Sequence, residues 1–477
     1  PSPAGIFLMK QDLVIIGGGP GGLVVASVAA QLGLRVTRVE QSGRLGGACR
    51  HSGCVPSKSL IAMSRIAHAA RRGAATGLLS AMPDIDFTRA VDHVERVVER
   101  IQLHDDPERF RSYGCDVRFG TATFASDREV VVDEEIIRAR RFLIATGSQP
   151  SVPPVPGLAE AGYETNETIF QRRELPGELA IIGGGPIGVE LAQAFARLGS
   201  RVTIIERDAQ LLGRMDAAAA GVLGEQLKAE GVRLHLSADI ASVRRDGDRR
   251  QLQLEDGSTV ECDRILVAAG RRPVLDGLGL DAAGIAHDRQ GIQVDRRLRT
   301  SKRHIYAVGD VCGPLQFTHV AEYQAGVALA NIAFRMPKKT DYRLVPVVVY
   351  TDPEVAAVGL TEQQARDKGV RHQVAEFPMA DLDRALTDGT PAGPARFIIS
   401  RGRVIGASIV GAHAGELIHE VALAMQVGAK AKHISELIHA YPTYAQLNRR
   451  TINSTYAGLL SSRKVRLLDW LLNRLIP

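Results

Sequence analysis

Two stretches of the chain pass through the same sequence of hydrophobic patterns. Residues 12–41 read DLVIIGGGPGGLVVASVAAQLGLRVTRVEQ, and residues 178–208 read ELAIIGGGPIGVELAQAFARLGSRVTIIERD. Each opens on a short uninterrupted apolar run, the pattern of a parallel strand buried on both faces. Three glycines and a proline follow, then an alanine-rich stretch of helical periodicity. A second β-branched run comes next and ends on a glutamate. Three shorter apolar runs also end in glycine: RFLIATGSQP (141–150), RILVAAGRRP (264–273) and HIYAVGDVCG (304–313). The first is expected to close one domain and the second another, while the third puts Asp310 at a strand's C-terminal end. PSVPPVPGL (150–158) reads as a linker. From about Leu344 the pattern changes to strands and two helical stretches without glycine fingerprints, as in a separate α+β domain.

The repeated unit has a specific physical reading. Gly17 permits a tight turn, Gly19 lets the backbone approach a pyrophosphate, and Gly22 lets helix and strand pack closely. The helix N-terminus then faces the phosphates, and Glu40 can accept hydrogen bonds from ribose hydroxyls. In the second copy the same roles fall to Gly183, Gly185, Gly188 and Glu206. Two complete units predict two dinucleotides, and a flavin with a nicotinamide is one pairing that fits. Glu206 repels a 2′-phosphate and suits a free 2′-hydroxyl, and Gly188 points the same way. NADH is therefore expected ahead of NADPH, with Arg201 and Arg207 close enough to soften the preference.

At 477 residues the chain is too long for one core. No apolar run approaches the ~20 residues a membrane span needs, and the N-terminal residues do not read as a signal peptide. Five cysteines in this length exclude a disulfide framework and point to a reducing cytoplasm. The net charge of +6 comes from scattered arginines, so no nucleic-acid footprint is expected. Two of the cysteines lie in GGACRHSGCVPSK, residues 46–58. Only His51 stands near Cys49 and Cys54, so a zinc site is disfavoured. A static crosslink over so short a loop would stabilise little, and a cycling disulfide fits better. Its geometry excludes plain helix throughout, because cysteines five apart in a helix point ~140° apart. Gly46, Gly47 and Gly53 supply irregular turns, and the helix proper is expected from near Pro56. Cys115, Cys262 and Cys312 lie in or beside expected strands and read as small buried hydrophobes.

With these motifs in place, the chain resembles the class I flavoprotein disulfide reductases over roughly residues 9–450. GGACRHSGCVPSK resembles the family's redox-active disulfide, and ATG (145–147), VGD (308–310) and YTDPEVAAVGLTE (350–362) agree. The resemblance implies an α/β fold with two Rossmann-like dinucleotide-binding domains and a C-terminal α+β dimerisation domain. The expected boundaries are 9–150 with 276–343 for FAD, 151–275 for NAD(P), 344–455 for dimerisation and 456–477 for an amphipathic tail. It implies a homodimer in which the C-terminal domain completes the partner's site. Cys49 would be the outer thiol that exchanges with substrate, and Cys54 the inner thiolate against the flavin. Lys58, with Glu190 as its partner, would stabilise charge at the flavin. Further cofactor contacts implied are Gly47, Ala48, Lys58, Ala122, Thr146, Gly147, Gly309, Asp310, Ala321, Ile240 and Gly270. No resident metal is implied.

The chain departs from the family where dithiol-using members carry His-Pro-Thr and a following Glu. Here HAYPTYAQL (439–447) puts Tyr441 at the histidine position and Gln446 at the glutamate position, with His439 two residues earlier and expected to point elsewhere. A phenol of pKa ~10 is a poor base at pH 7, so the acid/base dyad is expected to be missing. Mercuric reductases share the tyrosine. Neither their N-terminal Cys-x-x-Cys domain nor their C-terminal cysteine pair is expected here, since the sequence shows neither. The expected function is NADH-dependent, FAD-containing reduction of an acceptor through Cys49 and Cys54, the acceptor being a metal ion, a quinone or another electrophile. Alternatives are a dihydrolipoamide dehydrogenase-like enzyme acting on a lipoyl protein and a non-catalytic flavoprotein scaffold. The tail SSRKVRLLDWLLNRLIP (461–477) reads either as an interfacial helix making peripheral membrane contact or as a terminal helix packed on protein, the second being preferred.

Overall fold

The computed structural model describes residues 10–460 and 469–474. The elements that matter for the site are, in chain order, β1 (Lys10–Ile16), α1 (Pro20–Gln31), β2 (Val36–Glu40), α2 (Gly47–His51), α3 (Cys54–Ala75), β3 (Cys115–Phe119), β4 (Ala122–Ser126), β5 (Glu129–Val132) and β6 (Glu135–Ile144). They continue with β7 (Glu178–Ile182), α4 (Pro186–Leu198), β8 (Arg201–Ile205), β9 (Arg233–His235), β10 (Arg264–Val267), β11 (Ile305–Ala307) and α5 (Thr318–Ala333). The C-terminal part holds β12 (Val347–Val349), β13 (Glu354–Gly359), β14 (Gln373–Pro378), β15 (Pro394–Ser400), β16 (Arg403–Gly411), α6 (Ala414–Gln426) and α7 (Gln446–Leu460). By contacts the chain divides into two compact units. One is 1–183 with 197–200 and 240–341; the other is 184–196 with 201–239 and 342–477.

The first unit is built on a sheet of order β3-β2-β1-β6-β5-β4, with β11 also paired to β6. β1, β2, β3, β6 and β11 are parallel, with Ile16 opposite Ile144 and Ile144 opposite Ala307. The continuous apolar runs are explained by cover on both faces. Leu13, Ile15 and Leu143 pack on one face with α1 and α5, while Val14, Ile16, Phe142 and Ile144 pack on the other with Ile305. β6 is ten residues long, which lets its first half pair antiparallel with β5 and its second half parallel with β11. Because the parallel strands run the same way, Gly17, Glu40, Ala145 and Val308 reach one edge of the sheet, where ligands of open α/β sheets bind. β7 pairs parallel with β10 in this unit. The proline-rich linker is tied down: Ser148–Pro150 pairs with Arg271–Pro273, and the Ser151 amide donates to the Gly270 carbonyl.

In the second unit β8 pairs parallel with β9. Its larger part is an antiparallel sheet of order β12-β13-β16-β15-β14, covered by α6 and α7 through Ile418, Val421, Leu447 and Ile452. This is the expected α+β domain. Among the described residues no helix is long and apolar enough to cross a membrane. Of the C-terminal tail, residues 469–474 are helical, with Trp470, Leu471 and Leu472 exposed and the Arg474 guanidinium 4.2 Å from the Trp470 ring centre. The expected stripe through Arg463, Lys464, Arg466, Leu467, Leu468, Leu475 and Ile476 lies outside the described residues.

Candidate active site

The first glycine turn is shaped by what surrounds it. Gly17 sits at φ +113°, and a Cβ there would lie 2.3 Å from the Ala145 carbonyl oxygen. A Cβ on Gly22 would lie 2.6 Å from the Gly17 oxygen, so α1 can approach β1 only with glycine at that position. Gly19 is different: a Cβ there would meet nothing within 4 Å. α1 begins immediately after it, with no side-chain cap and no acid in its first turn. Open space before uncapped amides suits a pyrophosphate. The second turn repeats the geometry, with Gly183 at φ +112° and its Cβ position 2.6 Å from the Ala268 oxygen, Gly185 open, and Gly188 buried.

The two glutamates fold back on their own turns. Glu40 Oε1 accepts from the Ser42 amide at 2.7 Å, and its other oxygen lies against Gly18. Glu206 accepts from the Gly184 amide at 2.5 Å and the Asp208 amide at 2.8 Å. Each carboxylate is thus held at the rim of a glycine turn, the place a ribose would occupy. On the first sheet Gly309 and Asp310 follow β11. The Gly309 amide donates to Gln324 Oε1 at 2.6 Å, and a Cβ on Gly309 would sit 3.4 Å from Ala321 on α5. Ser148 donates to Asp310 at 2.6 Å and itself accepts from Arg271 at 2.7 Å. Burial pushes the Asp310 carboxyl up, and Ser148 and Arg271 offset this in part. Thr146 donates to the Val274 carbonyl at 3.0 Å, and Gly147 takes φ +71°. Gly17, Gly19, Gly22, Glu40, Gly47, Thr146, Gly147, Gly309, Asp310 and Ala321 therefore gather along one sheet edge. Ala122 is buried in β4 opposite Val132. Ile240 starts a strand paired with Leu254, and Gly270 takes φ +111° beside Ser151.

The cysteine segment is two helices with a break. Gly46 and Gly47 take φ +117° and +61°, and a Cβ on Gly47 would lie 2.7 Å from Gly19 Cα, which seats α2 against the first glycine turn. The Gly46 amide donates to the Gly18 carbonyl at 2.9 Å. Arg50 holds α2 from its other side through an ion pair of 2.7 Å with Asp105. Ser52 and Gly53 interrupt the helix, and a Cβ on Gly53 would stand 2.9 Å from the Ala48 oxygen and 3.2 Å from Cys49 Cα. Asn166 donates to the Ser52 carbonyl at 2.8 Å and fixes the break. α3 then starts at Cys54, two residues before the expected Pro56, because the Gly53 turn already releases the chain into helical geometry. Ala48 and Cys49 thus lie on α2, while Cys54 opens α3 and Lys58 follows one turn later.

Cys49 is half-buried and Cys54 exposed. Their side chains are hydrogen-bonded. That contact, then burial, pushes the Cys49 thiol far above the usual thiol range, while Thr318 and Arg50 pull it down. Cys54 heads a 22-residue helix with no acid in its first turn, and its sulfur lies 3.4 Å from Thr318 Oγ1. The helix N-terminus and that hydroxyl favour placing the pair's negative charge on Cys54. Thr318 escaped the sequence reading, since it stands 264 residues away in a stretch without a motif. His51 turns its ring to the Leu45 carbonyl at 2.9 Å, and no metal-ligand cluster occurs among the described residues. Cys115 and Cys262 are buried as expected, each pushed to about 11 by burial. Cys312 is half-buried, and burial raises it too.

In the second unit Glu190 is buried on α4 and accepts from the Tyr350 amide at 2.9 Å. Tyr441 is 69% exposed, and its hydroxyl is hydrogen-bonded to Asp383, which raises its pKa. Gln446 is the first residue of α7. His439 turns away from both. Its side chain is 3% exposed, with Nε2 3.1 Å from Glu420 Oε1 and Nδ1 3.1 Å from the Leu437 carbonyl. Asn448 donates to the second Glu420 oxygen at 2.7 Å.

The comparison with known proteins falls on this framework. The pyridine nucleotide-disulphide oxidoreductase profile matches residues 11–325, and the dimerisation domain of the same family matches residues 345–450. The chain belongs to that family. It is a class I flavoprotein disulfide reductase, an enzyme fold that binds FAD and NAD(P)H. Its dimerisation domain supports a homodimer. A mercuric reductase of Staphylococcus aureus is 33% identical over 441 residues, 91% of this chain and 80% of that protein. The mitochondrial dihydrolipoyl dehydrogenase of Pisum sativum is 34% identical over 468 residues, 94% of this chain and 92% of that protein. Among solved structures, the Cu(II) complex of the HOCl-induced flavoprotein disulfide reductase RclA from Escherichia coli superposes with a TM-score of 0.86 at 30% identity, covering 94% and 99% of the two chains. The uncapped α1, the open Gly19 and the rim carboxylate Glu40 fit the flavin dinucleotide. Gly185 and Glu206 fit the nicotinamide dinucleotide, and a preference for NADH is consistent with the family.

Proposed function

We propose that this chain is an NADH-dependent flavoprotein reductase that delivers electrons through Cys49 and Cys54 to a metal ion, a quinone or another electrophile rather than to a dithiol substrate. One observation carries the reading: position 441 holds a neutral phenol bonded to Asp383, and the neighbouring imidazole of His439 is buried against Glu420. Neither side chain is placed to take a proton from a substrate thiol at neutral pH. The mercuric reductase relative and the Cu(II)-bound neighbour agree with a thiophilic acceptor.

Bound FAD supplies two-electron transfer between nicotinamide and the cysteine pair. In the cycle proposed here, Cys49 carries the thiol that meets the acceptor, and Cys54 carries the charge. Glu206 selects a free ribose hydroxyl, Lys58 with Glu190 steadies charge beside the flavin, and Tyr441 reaches the partner's site as a hydrogen-bond donor. Residues 9–150 with 276–343 hold FAD, 151–275 hold the nicotinamide, and 344–455 form the dimer. A cytoplasmic setting goes with a cysteine pair that must return to its reduced form in each cycle.

The test is steady-state NADH oxidation by the FAD-loaded dimer with Cu(II), Hg(II), a quinone, lipoamide and glutathione disulfide as acceptors. A metal ion or quinone should exceed the oxygen background and depend on Cys49. Lipoamide as the preferred acceptor would favour the dihydrolipoamide dehydrogenase alternative, and no acceptor above background would favour the scaffold.

A further inference from the structure

A second cavity lies away from the glycine turns, in the first unit, where the chain enters β11. Its volume is about 440 Å³, and six arginines line it: Arg128, Arg141, Arg297, Arg299, Arg303 and Arg335. They come from four separate places in the sequence: the turn before β5, β6 itself, the loop leading into β11, and the segment after α5. Among the described residues only Arg299 has a carboxylate partner, Asp295 at 2.6 Å. Surface arginines are ordinarily interspersed with acids. Six guanidiniums converge on one concavity with two carboxylates nearby, Asp295 on Arg299 and Asp127 3.8 Å from the lining His304, so positive charge is in excess and a bound anion would offset it.

Tyr306 supplies a second, independent observation. It lies in the middle of β11, is only 6% exposed, and lines the same cavity. Its hydroxyl makes no hydrogen bond to any described residue and is not sealed in the core, so it opens to the cavity as an available donor. Arg141, Arg297 and Arg299 act electrostatically on it, so the phenol stands among the guanidiniums. The cavity falls within the ~300–1,000 Å³ of small-molecule sites. It is distinct from the dinucleotide edge: β11 runs from the cavity towards Gly309, and α5 starts at Thr318 beside Cys54 and ends near the cavity after 16 residues, or ~24 Å.

We infer that this cavity binds a small molecule carrying two or more adjacent phosphates, with the arginines taking the phosphate oxygens and the Tyr306 hydroxyl donating at the floor. Guanidiniums suit phosphates because their planar donors pair with two oxygens at once. The chemistry is shared by inorganic polyphosphate and by the phosphate tail of a nucleotide, and the test separates them.

Isothermal titration of the FAD-loaded dimer with pyrophosphate, tripolyphosphate and ADP at ~0.15 M salt should give saturable binding of at least one of them, weakening as salt rises. The double variant Arg297→Glu with Arg335→Glu should weaken that binding at least tenfold, and Tyr306→Phe severalfold. Arg289→Glu, in a surface turn that does not line the cavity, should leave it unchanged. Flavin absorbance confirms that each variant is folded. If tripolyphosphate responds to the cavity variants and ADP does not, the ligand is an inorganic polyphosphate; if ADP binds tighter and responds, it is a nucleotide. No saturable binding at millimolar concentration, binding of single-stranded nucleic acid alone, or affinities within twofold of wild type in both cavity variants would overturn the inference.

Discussion

Replacing Tyr441 by histidine together with Gln446 by glutamate should create dithiol activity. The size of the gain follows from the chemistry at that position. A phenol of ordinary pKa ~10 is ionised in about one molecule in a thousand at pH 7, and the hydrogen bond to Asp383 makes Tyr441 a still rarer base. An imidazole of pKa ~6.5 is mostly in its basic form at the same pH. The weaker intrinsic basicity of imidazole cancels part of that advantage, which leaves the ~10²-fold typical of general acid–base help. Asp383 is already beside the position and would favour the imidazolium, so Tyr441→His alone should recover part of the gain and Tyr441→His with Asp383→Asn less. The assay is NAD⁺ reduction by dihydrolipoamide, with kcat and kcat/KM followed from pH 5.5 to 9. The double variant should show a new step near neutrality that the wild type lacks, and any metal-ion reduction that uses the phenol should fall. Strong wild-type turnover of dihydrolipoamide with an apparent pKa of ~6–7 would refute the reasoning, since a histidine would then be serving as base despite the burial of His439 against Glu420.

Two-electron reduction of the holoenzyme should give a long-wavelength charge-transfer band that Cys54→Ser abolishes and Cys49→Ser shows without reductant; a band surviving in Cys54→Ser would reverse the two roles. Thr318→Val removes a hydroxyl that pulls the Cys49 thiol down, so the Cys49 pKa should rise further and its alkylation by iodoacetamide at pH 8 should slow severalfold, read by mass spectrometry. An unchanged rate would mean that the hydroxyl does not reach the reactive pair. Glu206→Ala should lower kcat/KM for NADH by about 1–2 kcal/mol, the size of a lost hydrogen bond to a ribose hydroxyl, and a wild-type preference for NADPH would contradict the role given to Glu206.

Local pattern alone determined much of this protein. Strands buried on both faces are mostly apolar, so β1, β6 and β7 stood out in the sequence as near-continuous runs, whereas β2, equally buried, carries Thr37 and Arg38. A turn that brings helix, strand and phosphate together tolerates only glycine at set positions. Gly17 and Gly22 show why, with their Cβ positions 2.3 Å and 2.6 Å from carbonyl oxygens. The break between Cys49 and Cys54 was legible for the same reason, since cysteines five apart cannot meet across an unbroken helix, though the start of α3 at Cys54 was not. Other features depended on residues far apart in the chain. Thr318 reaches Cys54 because the first residues of α5 and α3 meet within the same unit, a contact without a local signature. His439 is two residues from Tyr441, yet its fate was decided by Glu420 and Asn448, which lie on α6 and α7. The arginines of the second cavity looked scattered because they are scattered in sequence; only the return of the chain through β6, β11 and the end of α5 gathers their charge around Tyr306. Periodicity and glycine spacing report steric demands on neighbouring residues, whereas electrostatic environments sum over segments that only the tertiary fold brings together.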